Sequence, residues 1–207
     1  MAEKRNPWLP EPEEKHDETV QVIASDDELP PLKGPQVPQP HSVERPATVL
    51  PTVNYSVEAP LWFVGAHGGS GETTLASLVD EWEAAEHCWP VSSEKTNRVV
   101  LVARSSFYGL RSAQSVLEQW ASGGVAETVD VIGLVLIADS PGTLPRPLRE
   151  LAHVVSGGAA RTWWLPWVEQ WRVDDPTSVN RPRAVRKLIK DLSAITDETK
   201  KPLTERN

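Results

Sequence analysis

Apolar residues recur along this chain with two different periods, and the switches between them lay out its elements. Continuous apolar runs occur in "LWFVGA" (61–66), "NRVVLVARSS" (97–106), "DVIGLVLIAD" (130–139) and, more briefly, "RTWWLP" (161–166). Short runs of this kind, bounded by turn residues, predict buried strands. Between them the period becomes that of a helix. Leu75, Leu78, Val79 and Trp82 share one face of "ETTLASLVDEWEAAEH" (72–87), and Leu110, Ala113, Leu117 and Trp120 one face of "GLRSAQSVLEQWA" (109–121). "PRPLRELAHVVSGG" (145–158) opens on prolines and closes on Gly157 and Gly158, the asymmetry of a helix start and stop. "RPRAVRKLIKDLSAI" (181–195) turns Val185, Leu188, Ile189 and Leu192 to one side. Buried strands alternating with helices predict a mostly parallel sheet covered on both faces, a three-layer α/β domain.

Upstream of this pattern no period is sustained. Residues 1–57 hold 10 of the 19 prolines together with the acidic clusters "EPEEKHDE" and "SDDELPP". Such a segment buries too little apolar surface to offset its ordering entropy, so the expectation is a disordered acidic, proline-rich arm over 1–57. The α/β domain then spans 58–195, and 196–207 forms a flexible C-terminal tail. The charge is uneven in the same way: of a net −8, residues 1–60 carry 11 acidic and 5 basic side chains. This balance argues against binding nucleic acid over the whole surface, which requires clustered Lys and Arg. Cys88 is the single cysteine, which suits a reducing cytoplasm and allows no internal disulfide. The longest apolar run, 131–138, is too short to span a bilayer.

The candidate chemistry lies at the first strand-to-helix junction, "VGAHGGSGETTLA" (64–76). Gly65, Gly68, Gly69 and Gly71 permit positive φ and a close backbone approach, and Thr73 and Thr74 add hydroxyls at the opening of a helix. A loop of this design holds phosphate through successive backbone N–H groups, and a lysine normally completes it. Here His67 and Ser70 fill the intervening positions, and Glu72 stands where that lysine belongs. Two placements of Glu72 remain open at this level. Its carboxylate folds back onto the loop N–H groups, or it faces solvent beside a glycine turn kept for packing.

"HGGSGETT" resembles the deviant Walker A motif of the ParA/MinD group of P-loop ATPases, K-G-G-x-G-K-[ST]-[ST]. "VIGLVLIAD" and "GGAARTWWLPWVEQWR" are similar to that family's later strands, so the resemblance spans roughly residues 60–195. The chain also resembles a family of short actinobacterial proteins associated with mobile or conjugative elements. The resemblance implies a P-loop type of sheet and a place in partitioning, positioning or secretion. Both family lysines are missing, which implies a pseudo-ATPase with no catalytic residue and no cofactor. It would act as an adaptor or regulatory subunit on a related ATPase or on a second copy of itself. The rival is a weak ATPase using ATP and magnesium, its cation supplied by Arg104 or by a partner.

Four further features carry candidate chemistry or contacts. Asp139 ends a buried strand and matches in part the metal-side carboxylate of such a site, while a strand-end Asp opening a proline turn is the simpler account and the one preferred. Trp163, Trp164, Trp167 and Trp171 form a dense cluster, and aromatics of this kind serve either as partner anchors or as core. Arg181, Arg183, Arg186, Lys187 and Lys190 make a basic stripe that suits an acidic partner, nucleic acid or the chain's own tail. His87 and Cys88 lack further ligands, so no metal site is expected.

Overall fold

The computed structural model of the chain describes residues 28–125, 127–177 and 180–197. Five parallel strands form the main sheet: β2 (Leu61–Gly65), β3 (Trp82–Ala84), β5 (Asn97–Arg104), β6 (Val129–Ile137) and β7 (Thr162–Leu165). Their order is β3-β2-β5-β6-β7. The first strand thus has the second on one side and the third on the other, the order of an open doubly wound sheet. A separate pair, β1 (Thr52–Asn54) and β4 (Trp89–Val91), is also parallel.

Side chains alternate between the faces of each strand and feed two cores. One face carries Trp62, Val64, Val99, Leu101 and Leu134. They pack against α2 (Phe107–Ala121) and α3 (Arg146–Ser156) through Leu110, Leu117, Trp120, Ala152 and Val155. The other carries Phe63, Val100, Val102, Ile137 and Trp163 against α1 (Glu72–Ala76) and α4 (Arg183–Asp197), through Leu75, Val185, Leu188 and Leu192. The chain therefore folds as a mixed α/β domain with a parallel sheet between two helical layers, as the alternation of runs and periods predicts. A Cβ on Gly133 would meet the Trp163 ring and, at 2.7 Å, the Arg161 carbonyl. A glycine inside β6 is what lets the Trp163 ring approach the strand this closely.

The first predicted helix is much shorter than its pattern. Instead of running over 72–87, α1 stops at Ala76. Ser77 Oγ donates to the Thr74 carbonyl, and the Leu78 and Val79 N–H groups bond three residues back, which tightens and ends the helix. Trp82 then pairs with Leu61 across the sheet, its ring 5.4 Å from that of Phe63. The burial that Trp82 needs comes from an edge strand rather than from a helix face.

The N-terminal boundary also differs. Residues 1–27 of the expected disordered arm lie outside the described residues, but 28–57 lie against the domain. The Lys33 N–H donates to the Ala160 carbonyl at 2.9 Å, and Arg161 Nε to the Pro30 carbonyl at 3.1 Å. Leu50 exchanges two hydrogen bonds with the Gln119 side-chain amide, at 2.8 and 2.9 Å, and Gln119 is buried beneath it. Hydrogen bonds and a few separate apolar contacts, from Val43, Leu50 and Tyr55, hold this strap without a sustained apolar period. At the other end α4 runs to Asp197, with the Thr196 hydroxyl bonded to the Leu192 carbonyl, so the flexible tail does not begin at 196; residues 198–207 lie outside the described residues. Among the described residues, no helix is long and apolar enough to cross a membrane.

Candidate functional site

After β2 the chain goes to β3 on one side and returns to β5 on the other. Connections therefore diverge at the carboxyl ends of β2 and β5, the position where open α/β sheets form a ligand crevice. The glycine loop lies there. Gly69 and Gly71 adopt φ of 74° and 103°, which turn the backbone sharply into α1. Gly68 and Gly69 are exposed, and a Cβ on either would meet nothing within 4 Å, so the outer side of the loop is open. Thr73 is exposed and Thr74 half-buried. The five residues of α1 align few peptide dipoles, which weakens the positive end that a longer helix offers to phosphate.

Glu72 is folded into the loop and only 6% exposed. Its Oε2 accepts the Ser70 hydroxyl and, at 3.1 Å, the Gly71 N–H. Its Oε1 lies 3.3 Å from His87 Nδ1, which is also 3.0 Å from the Gly65 carbonyl. Of the two placements open from the sequence, the structure adopts the inward one. A side-chain carboxylate thereby takes donors that an external anion would use. The Gly71 N–H and the Ser70 hydroxyl are thus both occupied by the chain's own carboxylate.

Arg104, at the end of β5, ties the loop to the neighbouring strand. Its Nε donates to the Gly69 carbonyl at 3.2 Å and its Nη1 to the Ala138 carbonyl at 3.1 Å. Burial lowers the guanidinium from its ordinary value, and the nearby Asp139 charge opposes that shift. The Arg104 N–H donates to His67 Nε2 at 3.1 Å, so the His67 proton sits on Nδ1, which is 2.9 Å from the Gly68 carbonyl. Asp139 is exposed and accepts the Ser105 hydroxyl at 3.1 Å. The loop, Arg104, Ser105 and Asp139 thus share one end of the sheet, joined through contacts that sequence spacing does not reveal.

Beside them, Phe107 and Tyr108 open α2 with 64% and 71% exposure, and Tyr108 meets the His67 ring edge-on at 5.7 Å. The period of α2 suggested a start at 109. Ser106 caps the helix earlier by accepting the Gly109 N–H, which brings both aromatics to the site.

The tryptophan cluster divides. Trp163 is core, its Nε1 donating to the buried Asp191 at 2.9 Å, so it cannot serve as partner surface. Trp171 is half-buried against the same core. Trp164 is 48% exposed, and Trp167 lies half-buried under Arg172 with its Nε1 on Glu169. The basic stripe loses Lys187, whose ammonium lies 3.1 Å from both Asp191 oxygens and bonds the Glu28 carbonyl.

No curated protein matches the chain, and no solved structure matches it. A family of unknown function, DUF6668, matches residues 59–189, and the chain belongs to that family.

Proposed function

We propose that this DUF6668 chain is a non-catalytic adaptor or regulatory subunit built on a degenerate, ParA/MinD-like P-loop domain. The observation that carries the reading is the Glu72 carboxylate inside the glycine loop, bonded to the Gly71 N–H and the Ser70 hydroxyl. The order strand, glycine loop, helix, together with the placement of the loop at the switch point of a parallel sheet, supports a phosphate-loop ancestry. The missing lysine, the inward glutamate and the one-turn helix oppose nucleotide binding. Two like charges about 4 Å apart repel by about 4 kcal/mol at an effective dielectric of about 20. A micromolar ligand binds with only about 8 kcal/mol in all, so a single such contact removes a large share. The partner of such a subunit is a related ATPase or a second copy of the chain. Trp164, Phe107 and Tyr108 are its exposed aromatic contacts.

Calorimetry with Mg-ATP tests the reading. The wild type shows no heat of binding at millimolar nucleotide. Glu72→Lys restores weak binding, because the glycines and Thr73 remain, and Glu72→Gln falls between the two. Tight binding by the wild type sinks the pseudo-site reading in favour of a hydrolase that uses Arg104 or a partner's cation. No binding by any variant makes the loop a packing feature with no latent phosphate site.

A further inference from the structure

Glu72 is held by its own loop on one oxygen and by His87 on the other. We propose that His87 is the latch that keeps Glu72 in the loop, so that the turn between β3 and β4 sets whether the glycine loop is filled or bare. This inference rests on the filled-loop reading above and adds the element that controls it.

The geometry favours a latch over a chance contact. His87 Nδ1 faces two acceptors, the Gly65 carbonyl at 3.0 Å and Glu72 Oε1 at 3.3 Å. Nδ1 therefore carries the proton, which it donates to the Gly65 carbonyl, and the same ring edge lies 3.3 Å from the Glu72 carboxylate, an electrostatic contact beside the last residue of β2. Gly65 leaves the space for this arrangement, since a Cβ there would lie 2.5 Å from His87 Nδ1 and 2.6 Å from the Glu72 carboxyl carbon. The turn presenting His87 is unusual. Glu86 and His87 adopt φ of 42° and 62° in succession, a conformation that non-glycine residues keep only where their surroundings enforce it.

Hydrogen bonds on either side of the turn supply those surroundings. The Ala85 N–H bonds the Phe63 carbonyl at 2.8 Å, and the Cys88 N–H bonds the Ala85 carbonyl at 2.8 Å. The N-terminal strap supplies the rest. Tyr55 donates its hydroxyl to the Ala85 carbonyl at 2.9 Å, the Pro51 carbonyl accepts the Trp89 N–H at 2.8 Å, and β1 pairs with β4. Thr52, Val53 and Tyr55 lie ahead of the family-matched stretch 59–189, so a segment outside the matched domain braces the turn that holds Glu72 in place. Displacing the strap would release the turn, the histidine and then the carboxylate.

The Gly71 amide reports the latch directly, because its hydrogen bond runs to the Glu72 carboxylate. Amide exchange is measured by NMR on the full chain, with the Leu101 amide in β5 as the internal reference for global opening. His87→Gly suits the positive φ but removes the donor, and it speeds Gly71 exchange relative to Leu101 by about tenfold or more. His87→Asn also tolerates positive φ and places an amide N–H near the Nδ1 position. It keeps the exchange ratio within about twofold of wild type. Glu72→Ala frees the Gly71 amide whatever the histidine does. A fast Gly71 amide in Glu72→Ala with an unchanged ratio in His87→Gly overturns the latch and leaves the filled loop standing. Equal rises in His87→Gly and His87→Asn also overturn it, since the donor would then be irrelevant. An unchanged ratio in Glu72→Ala removes the filled loop and the latch together.

Discussion

A Cβ on Gly65 would stand 2.6 Å from the Ser70 hydroxyl as well as against His87 and Glu72. Three polar groups that satisfy one another fill the space beside this one backbone position, and none can withdraw without losing a partner. Gly65→Ala therefore costs about 1–3 kcal/mol by overpacking. The check is a lower urea midpoint with an unchanged denaturant slope, accompanied by faster exchange at Gly71. A Cβ on Gly109 would likewise lie 2.9 Å from His67 Nε2, besides meeting the Arg104 carbonyl. Glycine at that position lets α2 start close enough to the loop to bring Tyr108 onto His67. Both positions show the site set by the absence of side chains as much as by their chemistry.

At the scale of elements, β5 and β6 form the longest ladder of the sheet, with a register shift between Val99 and Val100. Arg98 stands opposite Asp130 where this ladder begins. Burial raises the Asp130 carboxyl above its ordinary value, and Arg98 opposes the rise. The sign follows from proton binding. A folded value above the unfolded one means that the folded state holds the proton more tightly. The stability this adds is full below the unfolded pKa and is lost as pH rises through the folded one. Asp130→Asn is expected to flatten that fall just above the ordinary carboxylate range, while leaving the alkaline limb unchanged. Unfolding free energy against pH for both proteins checks it, and parallel curves would mean that the ladder does not sense this proton. The strap is a second element in which polar pairing joins scattered apolar contacts. Gln119 presents its amide to Leu50 as a strand edge would, and β1 repeats the device on β4.

Over the whole molecule, the same strands supply both cores, so neither can come apart while the sheet survives. Leu101 belongs to the core under α2 and Leu188 to the core under α4, and both are fully buried. Leu101→Ala and Leu188→Ala each cost about 2–5 kcal/mol. Each is expected to lower one shared transition, with far-ultraviolet dichroism and tryptophan fluorescence coincident. Separate transitions by the two probes would show that α4 and its layer open independently. The cores leave one end of the sheet to the glycine loop, Arg104, Asp139 and the exposed Phe107 and Tyr108. The molecule thus joins a rigid two-sided core to an end closed by hydrogen bonds.

The sequence by itself determined those features that depend on near neighbours along the chain. Runs such as "VVLVA" and "IGLVLIA" are short, apolar throughout and rich in β-branched residues, which suits central strands, and the spacing of Leu110, Ala113 and Leu117 suits one helix face, so layers and sheet type were legible. Glu72 was legible too as a carboxylate in a glycine-rich loop, though its direction was not. Tertiary structure decided the rest, wherever two distant segments had to meet. Trp82 satisfies a helical period and an edge strand equally well, and only the open flank of β2 selected the strand. The strap at 28–57 is held by backbone and amide hydrogen bonds and by isolated apolar contacts from Val43, Leu50 and Tyr55, which together impose no apolar period and so leave no trace in the pattern. The loop is also closed by His87, carried there by a turn of positive φ whose residues are ordinary in sequence. Hydrophobic burial writes itself into periodicity because it repeats along an element, whereas a hydrogen bond between remote groups depends on where the whole fold delivers them.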